Sequence, residues 1–273
     1  MMNKYLKEIN DTAEFLKEKG FTSAKTAIIL GTGLGSFLTK LQVKVRVPYT
    51  EIPNFPQATV EFHKGQLVLG ELQGINVIVM QGRFHYYEGY TMQQITFPVR
   101  VMKALGVEQL LLSNAAGGIN KNYKKGDLVL IEDHINLQPD NPLKGLNDPE
   151  MGNRFVDMSD PYSLSMNKKL KDAALSNSIQ LKSGIYASVM GPNLETKAEY
   201  RYLGRIGADL VGMSTVPEVI VANHVGCQCA AVSVITDECD PDNLKPVDIS
   251  EIIKVAGEAD KSLSEVFATF LTS

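Results

Sequence analysis

Apolar residues recur along this chain at two alternating periods. Over residues 5–19, Leu6, Ile9, Ala13 and Leu16 fall on one helical face and Gly20 closes the run. The short apolar run 25–30 reads as a buried strand that opens into Gly31-Thr32-Gly33-Leu34-Gly35. Residues 66–72 and 75–80 read as strands joined in a hairpin by Gln73-Gly74. Thr91 and Gln94 stand at capping-box spacing, which predicts a helix from there to about Gly106, kinked at Pro98. Strands are then predicted at 109–113, 127–132, 184–190, 209–213 and 228–236, alternating with helices at 163–176, 195–206 and 217–225. A last helix opens with Asp248 and Glu251, again at capping-box spacing, and carries the stripe Ile252, Ile253, Ala256, Leu263, Val266, Phe267, Phe270. Such alternation predicts an α/β layered architecture. The stretch 138–161 is irregular, with Pro139, Pro142, Pro149, Pro161, Gly145 and Gly152; a long loop inside a compact domain usually serves function or assembly. No linker with a shift of composition interrupts the chain, so 1–273 reads as a single domain.

Composition narrows the class. The 273 residues carry 27 Lys+Arg against 31 Asp+Glu, a net charge of −4, with 44% hydrophobic and 21% charged residues. These are globular proportions, and the lack of a basic run argues against a nucleic-acid binder. Apolar runs such as 27–30 and 110–112 are too short to span a bilayer, so no membrane partner is expected. Charges at Lys4, Lys7, Glu8 and Asp11 leave no apolar core for a secretory signal. The three cysteines, Cys227, Cys229 and Cys239, cluster in one segment and make no disulfide framework. A cytoplasmic, reduced protein is expected.

The residue types that carry chemistry sit just past predicted strand ends, where α/β folds build sites. Gly31-Thr32-Gly33-Leu34-Gly35 offers several backbone N–H groups and a hydroxyl at one point; a tight turn is the plainer reading. Its spacing is not that of a dinucleotide fingerprint, and Glu51 lies among prolines rather than at a strand end. Arg83 and His85, in Gly82-Arg83-Phe84-His85-Tyr86-Tyr87-Glu88-Gly89, can form an anion clamp. Asn114-Ala115-Ala116-Gly117-Gly118 reads as a strand-to-loop turn with exposed amides. Thr215 and Glu218 have capping-box spacing with Pro217 in the first turn, so Ser214 is expected at a helix N-terminus that favours an anion. Glu195 is expected at the head of a helix, and Asp237 at the end of a strand. Cys227-x-Cys229 lacks a second pair at ligand spacing, so no metal site is expected. His134 and His224 read as structural or surface residues, and the scattered methionines as core filling.

In this order, Gly31-Thr32-Gly33-Leu34-Gly35, Gly82-Arg83-Phe84-His85-x-Tyr87-Glu88-Gly89, Asn114-Ala115-Ala116-Gly117-Gly118, Gly191-Pro192-x-x-Glu195-Thr196 and Gly212-Met213-Ser214-Thr215-Val216-Pro217-Glu218-Val219 resemble the motif set of the trimeric purine nucleoside phosphorylases, relatives of the 5′-methylthioadenosine phosphorylases. The resemblance implies a central mixed β-sheet flanked by helices and phosphorolysis of purine (deoxy)nucleosides to free base and (deoxy)ribose 1-phosphate with inversion. Phosphate is the co-substrate, and no cofactor or metal is implied. It implies that Thr32, His63, Arg83, His85, the Ala115 amide and Ser214 hold phosphate, and that Tyr87 and Met213 contact the ribose. Glu195 binds the purine's Watson–Crick side, Leu194 stands where an aromatic often stacks on the base, and Asp237 stands where a residue hydrogen-bonds N7. His85, Glu195 and Asp237 are the catalytic set. Phe155, in the proline-rich loop, matches an aromatic lent to a neighbour's site across a homotrimer interface.

Two departures bear on substrate. Members specific for 6-oxopurines usually carry Asn where this chain has Asp237; an ionised Asp only accepts, so it repels O6 and welcomes a 6-amino group, whereas a protonated one delivers a proton to N7. The family's histidine near the 5′-hydroxyl has no clear match around Asp248-Ile249-Ser250-Glu251, which leaves 5′-methylthioadenosine phosphorolysis as the alternative, although that activity's enzymes lack the matching Glu195. A nicotinamide-dependent oxidoreductase lacks its fingerprint here. A non-catalytic nucleoside-binding protein has no need of the intact clamp Arg83, His85, Ser214.

Overall fold

The structure is a computed structural model that describes residues 4–57, 59 and 64–273. Its nine described strands form one sheet in the order β2-β3-β4-β1-β5-β8-β7-β6-β9, with a further pairing of β5 to β9. In chain order they are β1 (Thr26–Leu30), β2 (Gln42–Pro48), β3 (Gln66–Leu72), β4 (Ile75–Gln81), β5 (Gln109–Gly118), β6 (Leu128–Asn136), β7 (Leu181–Ser188), β8 (Leu210–Gly212) and β9 (Gln228–Glu238). The helices are α1 (Lys4–Glu18), α2 (Met92–Ala104), α3 (Leu164–Ser176), α4 (Lys197–Arg205), α5 (Val216–His224) and α6 (Ile249–Thr272). The sheet is mixed: β1 runs parallel to β4 and β5, while β2–β3, β3–β4, β5–β8 and β6–β9 are antiparallel.

Side-chain alternation explains the layers. Ala27 and Ile29 of β1 pack into one apolar cluster with α1, α2 and α5; Ile28 and Leu30 pack into another with α3 and α6. A strand covered on both faces has no polar side to show, so β1 is buried throughout and apolar after Thr26. A third, smaller cluster joins Tyr200 and Leu203 of α4 to Ala187, Val211 and Cys239.

Most predicted elements are found within a residue or two. Thr91 caps α2 with the expected reciprocal box, its side chain accepting from Gln94 N at 3.2 Å. The hairpin at Gln73-Gly74 forms with positive φ at both residues, +49° and +84°. Four expectations are corrected. β2 has no counterpart in the sequence reading: its exposure alternates along an edge strand, and only Val47 is buried. Asn114-Ala115-Ala116-Gly117-Gly118 is not a turn but the second half of β5, paired in parallel with β9. α4 begins at Lys197 with Thr196 as its cap, so Glu195 precedes the helix rather than heading it. At α6 the Asp248 side chain caps by accepting from Ser250 N at 2.8 Å, and the reciprocal box with Glu251 does not form, because Glu251 pairs with Lys125 at 2.7 Å.

β5 creates the opening for a site. Its first half pairs with β1, ending at Ile29↔Leu112, and its last two residues pair with β8, at Gly117↔Val211 and Gly118↔Leu210. Between these, residues 113–116 have no strand on that edge, while β9 continues along the other. The five strands β5, β8, β7, β6 and β9 close on themselves, and the remaining four extend the sheet from β1. The sheet therefore splits beside residues 113–116, and the turns after β1, β4, β7 and β8 lead into the split.

Candidate active site

A cavity of about 340 Å³ lies at this split. It is lined by Gly31, Thr32, Arg83, His85, Tyr87, Asn114, Ala115, Leu194, Glu195, Met213, Ser214 and Asp237, among others. Residues more than 200 positions apart in sequence thus share one wall. Two hydrogen-bonded clusters build it, one rich in donors and the other in carboxylates.

In the donor cluster, Arg83 is 1% exposed and fixed from two sides. Its Nε donates to Glu218 Oε1 at 3.1 Å and its NH1 to the Ser113 carbonyl at 2.5 Å. A buried guanidinium needs a countercharge, and α5 supplies it. This is why the expected Thr215–Glu218 capping box does not form: Glu218 is turned to Arg83, and Thr215 makes no side-chain cap. Gly31 brings the loop after β1 against the same strand. A Cβ there would stand 2.8 Å from Asn114 Cα and from Ser113 O, so only glycine permits the approach.

His85 is oriented by Glu88. Its backbone N donates to Glu88 Oε1 at 2.7 Å and its Nδ1 lies 2.9 Å from the same oxygen, while the ring stacks on Tyr87 at 4.7 Å. Burial pushes the Glu88 carboxyl up, but hydrogen bonds from His85 and Thr59 and the charge on His85 outweigh it and hold it at about 2. An ionised Glu88 fixes the proton of His85 on Nδ1 and thereby the ring's orientation.

Ser214 is held in a strained turn. Thr215 has φ +69° and ψ −55°, and Val216 N donates to Ser214 O at 2.8 Å, which defines a γ-turn of the rare positive-φ form. For a β-branched residue this conformation costs on the order of 1–3 kcal/mol, so surrounding contacts must enforce it. Asn114 Nδ2 donates to Thr215 Oγ1 at 2.8 Å, and Thr215 Oγ1 lies 3.1 Å from Ser214 Oγ. Either hydroxyl can donate across this contact; with Thr215 as the donor, the Ser214 proton is left for another acceptor. The Tyr186 hydroxyl accepts from Ser214 N at 3.3 Å and Ser188 Oγ donates to Ser214 O at 3.1 Å, which completes the frame.

In the carboxylate cluster, Asp237 owes its position to a bulge. β9 pairs Ile235 with Ala116 but Asp237 with Gly117, so Thr236 is the extra residue that re-aims the strand. Asp237 Oδ1 accepts from Thr236 Oγ1 at 2.9 Å and Oδ2 from Cys239 Sγ at 3.1 Å. Burial raises the Glu195 carboxyl above its usual range; hydrogen bonds from its own backbone and from Tyr200 oppose this, and the charges of Asp237 and Glu199 add to it. The site thus pairs anchored donors with two carboxylates that repel each other.

Of the residues expected from sequence, Thr32, Arg83, His85, Tyr87, Ala115, Leu194, Glu195, Met213, Ser214 and Asp237 line this one cavity. His63 lies outside the described residues. Phe155 does not reach its own chain's cavity: it is 87% exposed and lines a separate hollow with Arg154 and His134. His134 is packed against Tyr162, at 3.1 Å from its hydroxyl, and His224 lies 3.1 Å from Arg100. Cys227 and Cys229 are buried free thiols. Sequence reasoning quoted Glu88, Asn114 and Glu218 within motifs and counted Cys239 among the cysteines, but did not foresee the partners they support, and it did not single out Tyr200. Arg83 and His85 were visible as chemistry, but the partners that orient them become neighbours only through the fold. Among the described residues no cluster of three or more metal-ligating side chains occurs, and no helix is long and apolar enough to cross a membrane.

Residues 25–272 match the phosphorylase superfamily, and the chain belongs to that family. Within it the relatives are purine nucleoside phosphorylases, enzymes of the pentosyltransferase type. "Purine nucleoside phosphorylase 1" of Geobacillus stearothermophilus is 52% identical over 84% of this chain and 84% of its own. The purine nucleoside phosphorylase of Mus musculus is 46% identical over 95% of this chain and 92% of its own. Among solved structures, isoform 2 of the Schistosoma mansoni enzyme, in complex with cytosine and ribose-1-phosphate, superposes with a TM-score of 0.92 at 39% identity, covering 97% and 96% of the two chains. A purine nucleoside phosphorylase of the same organism in complex with adenosine gives 0.91 at 38%, with the same coverage.

Proposed function

We propose that this cavity carries out phosphorolysis of purine nucleosides, with the donor cluster holding inorganic phosphate and the carboxylate cluster holding the base. The observation that carries the reading is the convergence of Thr32, Arg83, His85, Ala115 and Ser214 with Glu195 and Asp237 on one cavity. The relatives' shared activity supports it, and makes the chain a glycosyltransferase of purine salvage.

In this reaction a phosphate oxygen attacks C1′ of the sugar while the C1′–N9 bond breaks, its electron pair leaving with the purine. Phosphate, held under the sugar by Thr32, Arg83, His85, His63, the Ala115 amide and Ser214, offsets the positive charge that develops at C1′. Fixing both reactants removes up to about 7–11 kcal/mol of the barrier in favourable cases. Groups fixed at the base oppose charge that exists only in the transition state, worth roughly 3–4 kcal/mol for one well-placed donor. Glu195 accepts from the purine's Watson–Crick edge, Tyr87 and Met213 pack on the ribose, and Leu194 covers the base.

Asp237 decides the class of base. Both its oxygens already accept a hydrogen bond from within the protein, from Thr236 and Cys239, so it faces the base as an acceptor. That matches a 6-amino group and opposes O6. Adenosine is therefore cleaved alongside inosine and guanosine. A second substrate class is favoured by the wall of Ile249, Ile252 and Ile253, which is apolar and lines the same cavity: an apolar 5′-methylthio group fits it better than a hydroxyl. The chain acts as one phosphorylase domain over 1–273 in the cytoplasm. It assembles as a homotrimer in which the exposed Phe155 enters a neighbour's cavity.

Measuring kcat/KM for adenosine, inosine, guanosine and 5′-methylthioadenosine tests the base and sugar preferences. Adenosine turnover, and its loss relative to inosine in Asp237→Asn, is expected. Undetectable adenosine cleavage beside fast inosine cleavage contradicts the role given to Asp237.

A further inference from the structure

Behind Asp237 lies a hydrogen-bonded chain that the reaction itself does not use. Cys239 is 1% exposed and does not line the cavity, yet its Sγ lies 3.1 Å from Asp237 Oδ2. Its backbone is pinned, with Cys239 N donating to Gly118 O at 2.8 Å. The thiol sits directly over Gly117, where a Cβ would stand 2.5 Å from Sγ, so the strand is shaped to let the sulfur in. Tyr200, from α4, is 2% exposed and does line the cavity. It packs in the same small cluster as Cys239 and shares the cavity wall with Glu195. The hydrogen-bonded run is Thr236, Asp237, Cys239, with both donors converging on the carboxylate that faces the base.

The proton directions follow from the inventory of each group. A thiol has one proton, and a carboxylate is the better acceptor, so Cys239 donates to Asp237. Removing the thiol leaves Asp237 Oδ2 without its inward donor, and the carboxyl is then free to turn from the acceptor geometry it presents to the base. A cysteine that only packs would make no hydrogen bond to Asp237, and its loss would weaken all substrates alike.

We propose that Cys239 is a positioning residue that sets base preference, its thiol holding Asp237 as an acceptor. This rests on the purine reading above. It assigns specificity to a residue that touches no substrate and lies in a different structural cluster from the phosphate clamp.

The test uses the full chain as wild type, Cys239→Ala and Cys239→Ser, each checked for its melting temperature. Calorimetry gives Kd for adenine and hypoxanthine. In Cys239→Ala the preference for adenine over hypoxanthine is expected to fall about tenfold, equivalent to about 1.4 kcal/mol. Cys239→Ser, which keeps an O–H donor, is expected to hold the wild-type ratio. An unchanged ratio in Cys239→Ala, or a serine variant that behaves as the alanine one does, overturns the proposal. Wild-type protein that binds neither base overturns the purine reading instead, so the two failures are distinguishable.

Discussion

Glu195 carries three unfavourable influences at once: burial, the Asp237 charge and the Glu199 charge, of which burial is the largest. A carboxylate that must be ionised to accept from the purine loses function as pH falls through its pKa. With that pKa raised, the loss begins at a higher pH than for an ordinary carboxylate. Asp237→Asn removes one like charge, so the acid limb of kcat/KM for inosine is expected to move to lower pH. An acid limb that stays in place in this variant contradicts the electrostatic account. Glu195→Ala is expected to lose about 1.5–3 kcal/mol of binding to the base, the worth of a hydrogen bond to a charged group. At this scale the sequence was legible wherever a residue type itself carries chemistry, as with Arg83, His85, Glu195 and Asp237. It was silent about the role of Cys239, because a cysteine looks like core until the fold sets it against a carboxylate.

Turns placed at strand ends do the positioning at the level of elements. Gly31 allows β1 to end against Ser113 and Asn114, and the γ-turn at Thr215 presents Ser214 at the start of α5. Gly31→Ala is expected to cost about 1–3 kcal/mol of stability, the range for overpacking. The added Cβ faces backbone rather than a flexible side chain, so Thr32 and Asn114 must shift. Phosphate KM is therefore expected to rise more than the nucleoside KM. A melting temperature within a degree or so of wild type together with unchanged kinetics would refute this. Most elements could be read from periodicity because α1, α2, α6 and the central strands each bury a continuous face. The exceptions have physical reasons. β2 is an edge strand with little to bury, and Asn114–Gly118 look like a turn by composition but pair along β9. Thr215 and Glu218 have the spacing of a capping box, yet burial of Arg83 makes Glu218 worth more as its counterion.

Seen whole, the molecule anchors its proline-rich loop on the core through Met151, Leu143, Leu146 and Met158 but leaves Phe155 exposed and outside its own subunit's cavity. The proposed trimer gives that side chain a role. Phe155→Ala and Glu195→Ala subunits are each expected to be impaired alone. Mixed trimers, formed by dissociation and reassembly of the two, are expected to regain part of the activity, because some cavities then combine an intact wall with an intact phenylalanine. Light scattering checks the mass, and absence of any recovery in assembled mixtures contradicts the shared site. The fold class could be read from the alternation of elements. The closure of β5, β8, β7, β6 and β9, which opens the cavity, could not, because β5's change of partners depends on contacts across the whole chain.

The central claim is that one cavity brings an anchored phosphate beneath a purine nucleoside. The most direct measurement follows inosine and adenosine in phosphate-free buffer and again with phosphate added, by base release and by phosphorus NMR. The account predicts base release only when phosphate is present, with one equivalent of ribose 1-phosphate per base. Release without phosphate, or none with it, would contradict the account.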